Sequence, residues 1–418
     1  MEMNNDIITV YEDVQSKIPL TEDQKKSIIL LKTLWGSQNL ILQADGNLLM
    51  KHYVGFVVSG ETRIQILPKI YKTSFQNDEK ESEESCRLLF RLLAYSGYLS
   101  VKDIPKPQTI SGCKSDLLEI FIGIFISKFL KFFISDPNRG YEVNEDNIQF
   151  IKGKILFEKS ILKNMFSDHM HYVEYEEFTV NTVLNRIFKT VLLRLLHASR
   201  SSNNKIKIKL ALVYLEDVDT IRLSKSVFDR IRFNRLNKKY EPLYNFCKLF
   251  YYNRQPGFKN GDENTFNFLV PLNKLFEFYL FKILEGSKLT VEYQKPQEYL
   301  GKYNGSGIFL LKPDITLIKD KKVEIILDAK YKRIGQGDKP SVKQADIYQM
   351  VDYAGHYNCR KVFLVYPVCM DEDLRDEPII IKIKLFNNDI SIKIIQIDIM
   401  EEDVEKVGKK LLQQISIQ

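Results

Sequence analysis

Residues 307–333 read GIFLLKPDITLIKDKKVEIILDAKYKR, and the fold of the C-terminal third turns on how this stretch divides. Two apolar runs flank a polar turn at Ile318–Lys322, which is the pattern of a β-hairpin. Residues two apart in a strand share a face. Asp328 and Lys330 therefore project together, while Leu327, Ala329 and Tyr331 project to the other side. Pairing the two strands sets Asp314, fourteen residues upstream, across from Asp328. Two carboxylates and one ammonium then converge on one point. The group DAK closes the apolar run EIIL, as expected of a buried strand that carries polar residues to a cleft.

Phosphodiester hydrolysis calls for that set of groups. Paired carboxylates hold Mg²⁺, with Mn²⁺ as a substitute, because hard cations prefer oxygen ligands and keep several waters. Such an ion polarises a phosphoryl oxygen and makes a bound water more acidic. A lysine beside it can orient that water or stabilise the charge that develops on phosphorus. The expected metal ligands are Asp314, Asp328, the backbone carbonyl of the small residue Ala329, and Glu277. Glu277 lies in an amphipathic helix, PLNKLFEFYLFKILEGSK, that ends at Gly286; its other reading is a carboxylate on a helix surface. Gln349 and Tyr353 sit one turn apart on a helix spanning residues 344–357 and can reach one place, as support for the site or as ordinary packing. His356 reads as a packing or surface histidine rather than a catalyst, and the bland reading of the whole motif is a solvated hairpin with an incidental Asp–Lys ion pair.

Working outward, residues 265–418 alternate helix, antiparallel strands, helix, the buried strand KVFLVYPV, further strands and a terminal helix. This order describes an α/β domain with a mixed sheet. The loop NRQPGFKNGDEN, residues 253–264, is the best linker and the main expected boundary. Residues 76–255 read as mostly helical: a helix from Cys86, another over Asp116–Ile134, and FTVNTVLNRIFKTVLLRLLHAS capped by Thr179 or Asn181, with helical pattern again from Leu223 to Tyr251. The acidic stretch Ser74–Ser85 is a loop or the start of a helix, and a β-like piece surrounds Gly153. Residues 1–75 are β-rich, with Ile64, Ile66 and Pro68 on one alternating face and a turn at Ser59-Gly60. The fold class expected is α+β.

Composition narrows the rest. A chain of 418 residues, 44% hydrophobic and 12% aromatic, has the material for two or three packed domains. A net charge of +7 suits a nucleic-acid partner without requiring one. The cysteines at 86, 113, 247, 359 and 369 form no CxxC pair, so neither a zinc site nor a disulfide framework is expected, and a reduced cytoplasmic setting follows. The N-terminus lacks an apolar signal segment. Glu119, Lys128 and Lys131 interrupt the apolar run 117–134, which reads as a buried helix rather than a membrane span. There is no GxxxxGK[ST] run, so any nucleotide-driven motor must be another chain.

KPDITL with ILDAKYK resembles the PD-(D/E)xK nuclease superfamily, and DIYQMVDYA resembles the QxxxY element of its RecB-like members. The likeness extends along the chain. VGFVVSGETRIQILPKIY, FIKGKILF, YEEFTVNTVLNRIFKTVL, FNRLNKKYEPL and PLNKLFEFY resemble, in the same order, segments of the McrC-type nuclease subunits of McrBC-type modification-dependent restriction systems. That resemblance implies a Mg²⁺-dependent endodeoxyribonuclease with Asp314, Asp328 and Lys330 catalytic and Glu277 and Gln349 supporting. It implies as partners an McrB-like AAA+ GTPase ring, which recognises DNA carrying methylated cytosine, and the DNA itself. The N-terminal part would dock into the ring and stimulate GTP hydrolysis. Arg235 lies in a matching segment but reads as a surface charge. Two alternatives remain: a stand-alone PD-(D/E)xK restriction or repair nuclease, which leaves the long N-terminal region idle, and a non-catalytic activator of a GTPase.

Overall fold

The computed structural model describes residues 7–15, 25, 28–29, 39–43, 46–59, 62–69, 78–97, 99, 104–106, 109–110, 116–167, 169–252, 265–285, 290–334, 342–368, 374–375, 377–385 and 388–415. The expected linker 253–264, Gly60 of the Ser59-Gly60 turn, Ser74–Asn77, Gly286, Cys113 and Cys369 lie outside them. The chain divides into two compact units, Met1–Leu117 with Phe268–Gln418, and Leu118–Asn267. The three consecutive segments expected from sequence therefore do not map one to one onto compact units, because the N-terminal strands join the C-terminal residues.

The N-terminal residues form β1 (Ile7–Tyr11), β2 (Leu40–Leu42), β3 (Leu48–Met50), β4 (Tyr53–Ser59) and β5 (Thr62–Leu67). β2 and β3 pair with each other, while β5 lies between a parallel β1 and an antiparallel β4. That central place corrects the one-faced reading of β5. Ile64 and Ile66 are buried, but so are Arg63 and Gln65, and Pro68 falls beyond the strand. The buried polar pair is satisfied: Arg63 meets Asp116 at 2.6 Å, and Gln65 donates to Thr9 and accepts from the Leu117 amide. Helix α1 (Asp78–Tyr95) follows and already includes most of the acidic stretch.

In the second unit, α2 (Leu117–Ser135) is the long apolar helix. Its Glu119 is buried and accepts from Ser199 Oγ (2.8 Å), Asn204 Nδ2 (2.8 Å) and the Arg200 amide (2.5 Å), which explains a charge in that run. Among the described residues no helix is long and apolar enough to cross a membrane. Next come β6 (Gly140–Ile148), β7 (Lys154–Ile155), α3 (Phe157–Asn164) and β8 (His171–Thr179), with β8 between antiparallel β6 and β7. Among the described residues the unit continues with the α-helices α4 (Val183–Ala198), α5 (Ser202–Tyr214), α6 (Lys225–Asp229) and α7 (Glu241–Tyr252). The cap of α4 is Thr182, whose side chain accepts from the Asn185 amide, and not Thr179 or Asn181: Thr179 ends β8.

Beyond the linker, β9 (Thr265–Pro271) extends the first sheet to β1-β5-β4-β9. The close approach needs Gly55, at φ +132°, where a Cβ would fall 1.9 Å from the Phe268 carbonyl oxygen. Then follow α8 (Leu272–Leu284), β10 (Thr290–Tyr293), β11 (Glu298–Tyr303), β12 (Ser306–Leu311), β13 (Ile315–Lys319) and β14 (Lys322–Ala329). α9 (Gln344–His356), β15 (Lys361–Pro367), β16 (Ile379–Leu385), β17 (Asn388–Ile397) and α10 (Val404–Gln414) end the chain. The six-stranded sheet β10-β13-β14-β15-β17-β16 is mixed, parallel at β14/β15/β17 and antiparallel elsewhere. The α+β class, with a β-rich N-terminus, a helical middle and a C-terminal mixed sheet, is as expected. Ile326, Val362, Leu364, Ile392 and Ile394 pack with Met350, Tyr353 and Ala354 of α9 in one core cluster. β14 thus runs through the middle of the sheet, and its last residues are delivered, buried, to the sheet's end.

Candidate active site

The hairpin forms as its sequence foretells. Asp320 and Lys321 close it with φ of 49° and 63°, the left-handed pair that a two-residue turn demands. Ile315 pairs with Leu327, so the next step of the register sets Asp314 against Asp328. The Ala329 amide donates to Asp314 Oδ2 at 2.9 Å, and the Asp314 carbonyl accepts from the Gln294 amide at 2.8 Å, which pins the aspartate at both ends. Period-two alternation also holds. Lys330 Nζ reaches α9, where it donates to Gln349 Oε1 at 3.0 Å, while the ring of Tyr331 stands edge-on to Phe276 of α8.

Asp328 is 1% exposed, and Lys330 Nζ lies 2.5 Å from its Oδ2. That oxygen is fully buried and receives no hydrogen bond of standard geometry. Burial pushes the Asp328 carboxyl above the usual range against the opposing pull of Lys330, with Glu277 and Asp346 adding repulsion. Burial likewise pushes Asp314 well up, reinforced by the charges of Asp328 and Glu277 and moderated by the Ala329 amide and Lys274. Lys330 remains a cation: despite its burial, Asp328, Asp346 and Asp314 hold its pKa above the ordinary lysine value. The site is thus two crowded, desolvated carboxylates with one ammonium to offset them.

Glu277 is buried on α8 and belongs to this field through its charge. Its carboxylate accepts from Lys274 Nζ (2.7 and 2.9 Å), Gln294 Nε2 (3.1 Å) and Tyr293 OH (3.3 Å). Gln349 uses both ends of its amide, accepting from Lys330 and donating to Tyr353 OH at 2.9 Å; Tyr353 in turn donates to the Lys312 carbonyl at 3.0 Å. Ala329 is buried, follows Asp328 at the end of β14 and pairs with Val365, and its amide is the one that donates to Asp314. His356 is engaged with Glu298 at 2.7 Å, and Arg235 is an exposed turn residue of the second unit.

Sequence reasoning missed Asp346, Tyr293 and Gln294. Asp346, buried in the first turn of α9, stands 3.7 Å from Lys330 and 3.0 Å from Lys332. Its spacing of three from Gln349 on a helix was the available signal. Tyr293 and Gln294 reach Glu277 only because β10 pairs with β13, which no local pattern announces. Among the described residues no three His, Cys, Asp or Glu side chains form a ready metal cluster.

The McrBC 5-methylcytosine restriction system component family matches this chain over residues 48–367. The type IV methyl-directed restriction enzyme EcoKMcrBC of Escherichia coli (strain K12) is 23% identical over 287 residues, 64% of this chain and 80% of that protein. Among solved structures, a chain of the half-complex refined from a tetradecameric assembly of Thermococcus gammatolerans McrB AAA+ hexamers with bound McrC superposes with a TM-score of 0.70. It is 20% identical and the match covers 98% of this chain and 100% of that one, a likeness of fold.

Proposed function

Because this chain belongs to the family of McrBC 5-methylcytosine restriction system components, we propose that it is the nuclease subunit of such a system. In this reading it is a Mg²⁺-dependent endodeoxyribonuclease that cuts DNA when assembled with an AAA+ GTPase ring, whose GTP hydrolysis it stimulates. One observation carries the reading: the sheet brings the half-buried Asp314 against the buried Asp328, one of whose oxygens has no hydrogen bond of standard geometry, with the Lys330 ammonium beside it.

The donor set fits the ion. Asp314, Asp328 and the Ala329 carbonyl would hold Mg²⁺, which keeps most of its waters and needs only one or two protein carboxylates besides the phosphate. Crowded carboxylates whose charge is poorly offset favour a cation over further burial of like charge. When bound, the ion supplies Lewis-acid polarisation of the phosphoryl oxygen and a more acidic water. Lys330 stays protonated and, held between Asp328 and Gln349, presents its charge where negative charge grows on the phosphoryl group. Gln349 and Tyr353 fix that ammonium, and Glu277, oriented by Lys274, Tyr293 and Gln294, adds the negative potential that draws the cation in.

The partner is argued from two sides. The chain has no P-loop run of its own, and the solved chain it resembles over nearly its full length belongs to an assembly of McrB AAA+ hexamers with bound McrC. The second unit also exposes Tyr141, Phe150, Phe157, Leu162, Met165 and Phe166 along β6, α3 and their connections. An apolar surface of that kind suits a protein contact. It favours the second unit over the N-terminal strands as the docking element. The test is cleavage of methylated and unmodified plasmid, with and without the GTPase and GTP. Cleavage of methylated plasmid only with both present supports the reading, and efficient cutting by the chain and Mg²⁺ alone removes the subunit role.

A further inference from the structure

β11 and β12 carry a surface that the active site does not use. Tyr299, Tyr303, Phe309 and the neighbouring leucines stand in solvent, Tyr303 at 67% and Phe309 at 72% exposure. The ladder runs from Glu298↔Leu311 to Tyr303↔Ser306 and closes at Asn304-Gly305, both at positive φ as a tight hairpin requires. A two-stranded ribbon without a buried face is marginal on its own. This one is fastened at its base. Tyr357 OH donates to the carbonyls of Pro296 (3.0 Å) and Leu311 (3.2 Å), and Tyr353 OH to that of Lys312. His356 lies 2.7 Å from Glu298. All these ties come from the C-terminal end of α9, the helix that brings Gln349 and Asp346 to Lys330.

The ribbon is therefore clamped to the catalytic helix at its root and runs through Lys312 and Pro313 directly into Asp314, while its outer end is aromatic and free of packing. The ring of Tyr299 lies over Gly307, where an added Cβ would fall 2.4 Å from it, so that ring is seated before anything binds. Phe309 holds φ 58°, a backbone that L residues rarely adopt and that carries its ring outward. Along the segment 295–312 that forms the ribbon and its root, Lys295, Lys302 and Lys312 stand against the single Glu298, which His356 engages. Exposed aromatics set among lysines are the footprint of a nucleic-acid surface, whereas protein interfaces are depleted in lysine at their centres.

Resting on the nuclease reading above, we propose that the β11–β12 hairpin is a DNA-engaging wedge. Its rings stack against bases next to the scissile phosphodiester and its lysines take the flanking phosphates, so the hairpin sets how the strand enters the site. The test uses the full chain with its GTPase partner. Tyr303→Ser/Phe309→Ser and Lys302→Glu are compared with wild type in binding a fluorescent duplex without divalent ions, and in cleavage with Mg²⁺ and GTP. The aromatic variant is expected to bind roughly 10-fold or more weakly, since each lost base–ring stack costs about that much. Lys302→Glu weakens binding mainly at low salt. Asp328→Asn, by contrast, binds as wild type and does not cut, which separates this surface from the chemistry. Retained GTPase stimulation reports that the variants fold. Wild-type binding and cleavage by both hairpin variants overturns the proposal. So does a wild-type dimer that the aromatic variant converts to monomers with DNA affinity unchanged, because the surface then belongs to a second copy. A wild-type complex that neither binds nor cuts DNA removes the nuclease reading, and this inference with it.

Discussion

Replacing Lys330 by Met isolates the electrostatic arrangement on which the site depends. Met preserves most of the side chain's volume but removes the ammonium that sits 2.5 Å from Asp328, the two side chains being 14% and 2% exposed. A buried ion pair that loses one partner leaves an uncompensated charge, which costs about 3–5 kcal/mol. The lost hydrogen bond to Gln349 adds about 1 kcal/mol, since its Oε1 then lacks a donor. Asp346 offsets nothing here, because it keeps Lys332 and repels Asp328. The upper end of the range is not reached, because Asp328 relieves its charge by taking a proton. About 3 kcal/mol at pH 8, shrinking as the pH falls, is the expected loss. Hydrogen exchange of the β14 amides measures it as a local opening free energy without assuming that the two units unfold together. Asp328→Asn/Lys330→Met should recover about 2 kcal/mol of that loss, a coupling typical of residues in direct contact. Lys330→Met within about 0.5 kcal/mol of wild type at pH 8, the scale of an ordinary surface change, would refute the reasoning.

Three further outcomes are expected. Asp314 has a raised carboxyl pKa in the folded chain, so the folded state binds its proton more tightly than the unfolded chain does. The stability this contributes is fully present below the unfolded value and is lost as pH rises through the folded one. Urea midpoints of the metal-free chain should therefore rise on mild acidification from neutral pH, and Asp314→Asn should raise the neutral midpoint and flatten the slope; an unchanged slope contradicts the assignment. Gln349→Leu removes the acceptor that aims Lys330 while leaving its charge, and cleavage should fall about 10–100-fold, the range for a lost supporting contact around a metal centre. Equal rates for Gln349→Leu and wild type would make that glutamine a packing residue. Gly55→Ala forces a Cβ against the Phe268 carbonyl, and the strain should cost about 3 kcal/mol, read as a lower unfolding midpoint. A neutral effect would mean that β9 can shift away from β4.

What the sequence made legible follows the range of the physics involved. The β13–β14 hairpin is local in its two-residue turn and alternating faces, but its register is not, because a bulge between Leu317 and Ile318 shifts the pairing by one residue. Asp314 and Asp328 could be brought to neighbouring strands before any coordinates, whereas their alignment opposite each other depends on that bulge. Gln349 could be placed beside Tyr353, and Glu277 on its own helix, but the partners Tyr293 and Gln294 of Glu277 could not, since they arrive by strand pairing across the sheet. The burial of Arg63 and Gln65 was not legible because their partners, Asp116 and the Leu117 amide, lie more than fifty residues away. The pair β6 and β8 was missed for the opposite reason. Glu is its commonest residue and Val173 is its one buried hydrophobic residue, so no sustained apolar alternation marks it. α5 hides behind KIKIK, whose alternation imitates a strand although its residues form a helix capped by Ser201.

The central claim is that Asp314, Asp328 and Lys330 cut DNA within a complex whose GTPase is a separate chain. Asp328→Ala tests it most directly, with DNA cleavage and stimulation of the partner's GTP hydrolysis measured on the same preparation. Cleavage should be lost by a factor of about 1,000 or more, the scale of removing a principal group at a charged transition state, while GTPase stimulation persists at the wild-type level. Cleavage by Asp328→Ala equal to that of wild type, or absent from both in every condition, contradicts the account.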